Sequence, residues 1–423
     1  MIIPRDRYLN RLIARKHNGM IKVITGVRRC GKSYLLFNLF KEHLLRSGID
    51  ESHIISIALD SMENEQYHDV HRLYEKIISL TTDDSAYYIL LDEIQLAIGF
   101  EAMLNSFLRK ENLDVYVTGS NSKFLSSDII TEFRGRGDEV NLRPLSFSEF
   151  AFVYEGDRHD ALEEYMDYGG LPELIRLGTD EQKASYLRTI METTYLNDVV
   201  ERNNVKLPYL LDNLVNVLSS SACSLVNPTK IKDTMISKGY RSADEDTILK
   251  YIGFLTDAFL FEKAERYDVK GRRYIGALEK YYPVDHGIAN ARLNFRQTAD
   301  RPHIMENMIY NELRSRGYDV DVGVVKFRKK IDERMVQVTS EVDFIAKMGS
   351  RITYIQSAYR IDDPEKKEQE LRSLLKINDS FKKVMIVGDY MRPNMDDNGI
   401  LFIGLMQFLL DENSLDEYLI RSC

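Results

Sequence analysis

The sequence predicts an α/β protein whose amino-terminal part is built on a parallel β-sheet, and two stretches support this prediction. Residues 21–41 read IKVITGVRRCGKSYLLFNLFK: a β-branched run, a glycine loop, and then apolar residues at helical spacing. Residues 87–93 read YYILLDE, a near-continuous apolar run that is typical of a strand buried on both faces of a parallel sheet. This second run ends in two acids, at the edge where open α/β sheets bind ligands.

The glycine loop carries the pattern GxxxxGKS between the strand and the helix. Glycines let successive backbone N–H groups point at phosphate oxygens, and the helix that follows adds the positive end of its dipole. Lys32 would then contact the β- and γ-phosphates, and Ser33 would bind Mg²⁺. A glycine turn before an ordinary helix is the structural alternative. The residues expected around the nucleotide are Gly26, Val27, Arg28, Arg29, Cys30, Gly31, Lys32, Ser33 and Tyr34.

The paired acids at the end of the second run complete the predicted nucleotide site. Asp92 would hold Mg²⁺ directly or through water, and Glu93 would orient or deprotonate the attacking water. The alternative is a pair of surface acids that cap the following helix.

Two further stretches follow in the order expected for a P-loop NTPase of the additional-strand class. Residues 114–122 predict another buried strand, after which Ser120 and Asn121 would either sense the γ-phosphate or form a tight turn. Arg134 and Arg136 flank a glycine before a fifth strand at residues 139–145. Such an arginine would stabilise γ-phosphate charge, in its own chain or from a neighbouring subunit; a solvated basic loop is the alternative.

Composition narrows the functional classes. A chain of 423 residues is expected to form about two to four domains. Its net charge of −9 provides no general attraction to nucleic acid or anionic membranes, so any DNA contact would need a local basic patch. No apolar run approaches the roughly 18 residues of a membrane helix, and no signal peptide is visible, so we expect a cytoplasmic protein. The cysteines at positions 30, 223 and 423 suggest neither disulfides nor zinc, and Cys30 is either an oxidisable thiol or simply a small residue.

Taken together, the motifs resemble a known family. They are GVRRCGKS, YYILLDEIQ, VTGSNSK, FRGRG, LRPLSFSEF, YGGLPE, TYLNDVVERN, KYYPVDHGIANA and ENMIYNEL, and they cover essentially the whole chain. The sequence resembles prokaryotic AAA-superfamily ATPases with a winged-helix region and a carboxyl-terminal domain usually described as restriction-endonuclease-like. The resemblance implies ATP as the nucleotide and a helical lid over it. The predicted domains are residues 1–145 (P-loop ATPase core), 146–206 (helical lid), 207–278 (winged helix) and 279–423 (nuclease-like α/β domain).

The winged-helix prediction depends on helices at residues 227–237 and 242–257 and a hairpin at residues 259–274. The second helix opens with three acids, which disfavours base reading by this helix because they repel phosphate. The hairpin tip is basic and would still contact a DNA backbone. The alternative is a protein-interaction or structural role. The predicted DNA contacts are Lys270, Arg272 and Arg273.

The carboxyl-terminal residues follow the plan of the restriction-endonuclease fold, in which carboxylates bind Mg²⁺ and a lysine positions water. Glu306 lies on a predicted helix, and Glu341 and Asp343 share one face of a strand. Gln356 lies on the next strand, but Ala358 stands where the lysine is expected. We therefore predict a vestigial nuclease site at these four polar residues. The basic run at residues 326–330 is either a nucleic-acid patch or an exposed hairpin.

The predicted activity is Mg²⁺-dependent ATP hydrolysis that drives rearrangement of the carboxyl-terminal half, with DNA as one candidate partner. The alternative is a nucleotide-gated switch or protein-interaction scaffold that hydrolyses ATP slowly and has no nucleic-acid substrate. A homo-oligomer is compatible with either reading, and no membrane association is expected.

Overall fold

The computed structural model describes residues 2–119, 135–237, 239–240, 244–276, 278–296, 300–331, 334–361 and 363–416. The chain divides into two compact units. The first comprises Met1–Pro144 and Asp257–Phe259, and the second comprises Leu145–Thr256 and Leu260–Cys423. Apart from Asp257–Phe259, the predicted lid, winged-helix and nuclease-like domains fall in the second unit, and their separation into three domains stays a prediction.

The first unit is built on a five-stranded parallel sheet. Its strand order is β2-β3-β4-β1-β5, so β4 lies between β1 and β3. This inserted strand defines the additional-strand class of P-loop NTPases, and the predicted fold class is confirmed. The strands are β1 (Ile21–Thr25), β2 (Ile54–Ala58), β3 (Tyr87–Asp92), β4 (Leu113–Thr118) and β5 (Gly137–Asn141).

Helical segments cover the sheet, and every residue of β1 and β3 is buried. The helix that begins at Lys32 contains a π-helical stretch, Leu35–Phe40, before it continues as an α-helix. Short 3₁₀ segments lie at Glu51–His53, Met62–His68 and Ile94–Leu96. The α-helices are α1 (Asp6–Ala14), α2 (Lys32–Tyr34), α3 (Lys41–Arg46), α4 (Val70–Leu80) and α5 (Phe100–Phe107).

The second unit begins with helices, as predicted for residues 146–206. The first of them starts with a capping box in which Ser146 and Glu149 exchange hydrogen bonds with each other's backbone. A 3₁₀ segment lies at Pro172–Arg176 and a π-helical segment at Ile190–Leu196. The α-helices are α6 (Phe147–Val153), α7 (Arg158–Tyr168), α8 (Asp180–Thr189), α9 (Asn197–Arg202), α10 (Pro208–Ser220), α11 (Pro228–Ser237), α12 (Glu245–Asp257) and α13 (His286–Arg292).

A three-stranded antiparallel sheet joins segments on both sides of the predicted boundary at 278/279. Its order is β6 (Leu225–Val226), β10 (Glu279–Pro283) and β7 (Phe261–Ala264). The predicted hairpin at residues 259–274 is therefore confirmed only in its second part, where β8 and β9 pair antiparallel, because β7 pairs with β10 instead. Only Glu265 separates β7 from β8 (Arg266–Asp268). Strand β8 nevertheless belongs to another sheet, where it pairs with β9 (Arg273–Tyr274). Local alternation identifies these strands but does not tell which partner each one takes.

The largest sheet has eight strands in the order β15-β16-β14-β13-β12-β11-β8-β9. A helix, three antiparallel strands, a second helix and a parallel strand follow each other along the chain, as the nuclease-like plan predicts. Assignment to that fold family stays a prediction. The elements are α14 (Arg301–Arg316), β11 (Asp319–Ile331), β12 (Arg334–Met348), β13 (Arg351–Ala358), α15 (Pro364–Leu375), β14 (Lys382–Val387), β15 (Asn394–Met395), β16 (Ile400–Gly404) and α16 (Leu405–Leu410).

Candidate nucleotide site and carboxylate cluster

The glycine loop after β1 has the left-handed backbone that its sequence predicts. Gly26 has φ +134° and Gly31 has φ +99°. A Cβ atom at Gly26 would lie 2.0 Å from the Leu142 carbonyl oxygen, so no larger residue fits there. Lys32 is only 5% exposed, and its Nζ donates to the carbonyl oxygens of Gly26 at 2.9 Å and Val27 at 3.2 Å. The lysine thus points into the curve of the loop.

The acidic strand end lies beside this loop. Asp92 is buried at the end of β3 and accepts a hydrogen bond from the hydroxyl of Thr118. Burial raises the pKa of Asp92, while the hydroxyls of Thr118 and of nearby Ser33 oppose the rise. The structure therefore brings together a hydroxyl and a carboxylate oxygen, the ligand types that Mg²⁺ prefers. The predicted magnesium ligands, Ser33 and Asp92, fit a metal ion at this position.

Glu93 occupies an unusual backbone position next to Asp92. Its φ is +51°, in the left-handed region that few non-glycine residues adopt. Its backbone N–H donates to the Thr118 hydroxyl at 3.1 Å, and its carboxylate accepts a hydrogen bond from Gln95. Thr118 thus contacts both acids. Sequence reasoning missed Thr118, the last residue of β4, because the stretch VTGSNSK that contains it was interpreted through Ser120 and Asn121.

Arg5 is a second residue that the sequence reading missed. It is only 2% exposed and donates to the carbonyl oxygens of Cys30 at 3.1 Å and Arg143 at 2.6 Å. It thereby ties the amino-terminal segment to the phosphate loop and to the end of β5. The Cys30 thiol is fully buried, and burial raises its pKa, so the oxidisable-thiol alternative is disfavoured.

The remaining predicted catalytic residues do not join this site. Asn121 and Arg134, with Ser120, lie outside the described residues. Arg136 is exposed, and Gly137 after it pairs with Ile21, at the amino end of β1. Because β1 has five residues at about 3.3 Å each, Arg136 lies about 16 Å from the loop, at the opposite edge of the sheet. A role for Arg136 at its own chain's nucleotide is therefore wrong, and a role at a neighbouring subunit's nucleotide stays a prediction.

In the second unit, the predicted nuclease residues form a buried cluster. Asp343 is 9% exposed and accepts hydrogen bonds from the Gln356 side-chain nitrogen at 3.1 Å and from the Ser357 N–H and hydroxyl at 2.8 Å and 2.6 Å. Glu306 on α14 accepts a hydrogen bond from the Tyr282 hydroxyl at 2.9 Å. Burial raises the pKa of both Asp343 and Glu306.

A lysine that sequence reasoning missed lies among these acids. Lys280 comes from β10, and its Nζ lies 3.0 Å from a carboxylate oxygen of Glu306 and 2.6 Å from one of Glu341. Burial lowers the pKa of Lys280, but the negative charges of these glutamates outweigh that effect, so the pKa lies above its usual range. Lys280 opens the stretch KYYPVDHGIANA, which indicated the family but not the partners of the lysine, since Glu341 lies 61 residues further along the chain.

The predicted DNA contacts lie at the edge of the eight-stranded sheet. Lys270, Arg272 and Arg273 are exposed around the turn that joins β8 to β9. Because β8 pairs with β11, this turn lies beside the basic run at residues 326–330, and Lys326 contacts Asp268 at 3.2 Å. These cations lie at the tip of a hairpin, as predicted, and the hairpin belongs to the eight-stranded sheet. Two basic segments that are distant in sequence meet on one sheet.

Comparisons with known proteins support the nucleotide-binding part of this description. The profile of a family described as an AAA domain matches residues 18–151, and one described as a domain of unknown function (DUF8612) matches residues 159–299. An uncharacterized protein of Haemophilus influenzae is 34% identical over 415 residues, which cover 97% of this chain and 99% of that protein. An uncharacterized protein of Methanocaldococcus jannaschii is 26% identical over 401 residues, which cover 89% of this chain and 85% of that protein.

Among solved structures, the chain is similar to the Walker-type ATPase of Pyrococcus abyssi, with 14% identity and a TM-score of 0.47. The match covers 69% of this chain and 96% of that one. Within the described residues, no helix is both long enough and apolar enough to cross a membrane. The AAA profile and the phosphate-loop geometry together support nucleotide binding by the first unit.

Proposed function

The chain belongs to the family of AAA-domain proteins that includes its Haemophilus influenzae relative, and from this premise we propose that it is a Mg²⁺-dependent ATPase. The observation that carries the proposal is the contact of Asp92 with Thr118, since Thr118 pairs with Ile24 and so joins the acidic strand end to the strand that leads into the phosphate loop. ATP is inferred over GTP from the family.

Binding would begin at the phosphate loop. Lys32 would exchange the carbonyl oxygens of Gly26 and Val27 for the β- and γ-phosphate oxygens, which carry more negative charge. Ser33 and Asp92 would hold Mg²⁺, which when bound neutralises charge on the β- and γ-phosphate oxygens. The backbone N–H groups between Gly26 and Ser33 would bind the remaining phosphate oxygens.

Glu93 would act on the attacking water. Its carboxylate would orient the water and accept its proton as the water oxygen attacks the γ-phosphorus, while the bond from that phosphorus to the bridging oxygen breaks and ADP leaves. The hydrogen bond from its N–H to Thr118 supports this role, because it fixes the left-handed backbone from which the side chain projects. Asn121, Arg134 and, from a second copy of the chain, Arg136 remain the candidates that would contact the γ-phosphate.

Steady-state phosphate release with Mg-ATP tests the proposal. We expect Glu93→Gln to bind ATP but to lower turnover by about 10²- to 10⁴-fold, because only the general base is removed. Lys32→Ala should weaken ATP binding itself. Glu101→Gln removes a carboxylate from α5 and is the matched control. Wild-type turnover no greater than that of Glu93→Gln would contradict the assignment and favour a nucleotide-gated switch.

We further propose that the second unit contacts nucleic acid through its basic edge, and one observation favours this. Arg273 pairs in register with Asp268, beside Lys326, so cations from two distant segments lie together on exposed strands. Lys326 is two residues from Val324, which pairs with Glu341, so this basic edge and the carboxylate cluster share a sheet face. Such a cationic strip is the electrostatic requirement for phosphate contacts.

Salt-dependent binding of duplex and single-stranded DNA separates this proposal from the alternative. We expect the double variant Arg273→Ala/Lys326→Ala to lower the slope of log affinity against log salt by about two, as each lost phosphate contact releases roughly one counterion fewer. Lys76→Ala, on α4 of the first unit, should leave the slope unchanged. Binding without salt dependence, or no binding, would leave the nucleotide-gated switch or protein-interaction scaffold.

A further inference from the structure

The buried carboxylate cluster of the second unit does not fit the metal ion that a restriction-endonuclease-like domain implies. In such a domain, carboxylates on neighbouring elements share a divalent cation. Here Glu306 on α14 and Glu341 on β12 instead share one ammonium group, that of Lys280. Across the described ranges of the chain, no group of three or more His, Cys, Asp or Glu side chains is arranged to hold a metal ion.

The position of the Lys280 ammonium group shows why a divalent cation does not fit this cluster. The Lys280 side chain is only 6% exposed, and its Nζ lies 3.0 Å from Glu306 Oε1 and 2.6 Å from Glu341 Oε1. A Mg²⁺ ion bridging the same two oxygens would have to lie about 2.1 Å from each, in nearly the same space. Two cations cannot share that space, because they would overlap and because the buried ammonium is shielded from the water that would screen their repulsion.

Both carboxylate oxygens of Asp343, the third acid of the cluster, already accept hydrogen bonds from other groups. One oxygen of Asp343 accepts from the N–H and the hydroxyl of Ser357, and the other accepts from the Gln356 amide. Gln356 is held in turn, since its oxygen accepts a hydrogen bond from the Ser373 hydroxyl at 3.3 Å. These bonds orient Asp343 toward strand β13, and a metal ion would have to break them.

We propose that the Lys280 ammonium is a built-in cation that replaces the divalent metal ion of a nuclease-like site. The cluster is then complete without metal and serves to join β10 of the three-stranded sheet to α14 and to β12 of the eight-stranded sheet. The second unit accordingly folds without divalent cations and does not cut nucleic acid at this site. Any nucleic acid on the basic edge would be bound and left intact.

Removal of the lysine should turn the cluster into a metal site. In Lys280→Ala the carboxylates of Glu306 and Glu341 face each other without a cation. A divalent ion bound between them would neutralise their negative charge. The matched control is Lys183→Ala. Lys183 is similarly buried, with its side chain 8% exposed, but pairs with the single carboxylate of Glu164 at 2.6 Å. Its loss should destabilise the protein without creating a place for a dication.

The experiment is thermal unfolding of the nucleotide-free full-length chain in EDTA and in millimolar Mn²⁺. We expect wild type to unfold at the same temperature in both, whereas Lys280→Ala unfolds several degrees lower in EDTA and recovers most of that loss in Mn²⁺. Lys183→Ala should unfold early in both solutions. A folded Lys280→Ala variant that Mn²⁺ does not stabilise would overturn the proposal.

A second measurement keeps the test decisive if Lys280→Ala does not fold in either solution. Mn²⁺ binding to the wild-type chain is measured by electron paramagnetic resonance, with and without Glu341→Gln. Wild type that binds no Mn²⁺ at the cluster supports the built-in cation. Mn²⁺ bound to wild type and lost in Glu341→Gln would show that metal and lysine coexist, which contradicts it.

Discussion

At the residue scale, Arg5 and Lys280 show how a buried cation can organise groups that are far apart in sequence. Arg5 donates to carbonyl oxygens of the phosphate loop and of the segment after β5, 25 and 138 residues away. Lys280 contacts acids on a helix and on a strand. Burying either charge is costly unless it is paired or hydrogen-bonded, so each position tolerates few substitutions.

Arg5 is expected to position the phosphate loop, because its guanidinium holds the Cys30 carbonyl one residue before Gly31. We predict that Arg5→Ala lowers stability by about 1–3 kcal/mol and weakens ATP binding, and that Arg5→Lys repairs neither fully because an ammonium lacks the planar fork. Chemical unfolding and ATP titration measure the two effects. Arg11→Ala, on α1 near the same Tyr8 ring, is the control. ATP affinity that is unchanged in Arg5→Ala would limit Arg5 to a structural role.

At the element scale, the packing of helices α7 and α13 depends on a glycine. A Cβ atom on Gly287 would lie 1.8 Å from the carbonyl oxygen of Tyr168, at the end of α7. Next to it, the Asp285 carboxylate accepts a hydrogen bond from the Gly170 N–H at 2.8 Å. The motifs YGGLPE and DHG, which the sequence offered only as family markers, therefore meet in one tightly packed junction.

For two helical glycines of the second unit, we predict that substitution by alanine changes the stability of the protein in opposite directions. Gly287→Ala should destabilise the protein by about 1–3 kcal/mol or more, because the backbone of α7 must move to admit the methyl group. Gly253→Ala, on α12, should stabilise it by about 0.5–1 kcal/mol, since a Cβ there meets no atom within 4 Å and alanine favours helix. Urea unfolding of both variants measures the difference. Equal effects would contradict the close approach of α7 and α13.

The same scale shows what a single sequence can predict here. β1 and β13 have the predicted bounds, Ile21–Thr25 and Arg351–Ala358, because hydrophobic periodicity is a local property. Partner choice is not local, and β7 accordingly pairs with β10, while β8 pairs with β11 as well as with β9. Lys280 was missed for the same reason, since its contacts with Glu306 and Glu341 span 26 and 61 residues. The phosphate loop could be read directly because its chemistry lies within one short stretch.

At the scale of the whole molecule, nucleotide chemistry belongs to the first unit, and the basic edge and the carboxylate cluster belong to the second. Hydrolysis in the first unit would matter to the second only if the predicted lid, at residues 146–206, changes position with the nucleotide. Addition of DNA to the phosphate-release assay tests this coupling. Stimulation that is lost in the Arg273→Ala/Lys326→Ala variant would connect the basic edge to the ATPase cycle.

The position of Arg136 also has a consequence for the association of one copy of the chain with another. Arg136 lies about 16 Å from its own phosphate loop, so it can serve a γ-phosphate only in a second copy of the chain. We predict that turnover per chain rises with protein concentration, and that Arg136→Ala lowers the plateau by about 10³-fold or more. Arg136→Ala and Lys32→Ala should each be inactive alone, yet regain activity when mixed. The first retains a phosphate loop, and the second retains the arginine. Turnover that is independent of protein concentration, with no recovery on mixing, would contradict this role and leave Arg136 as part of a solvated basic loop.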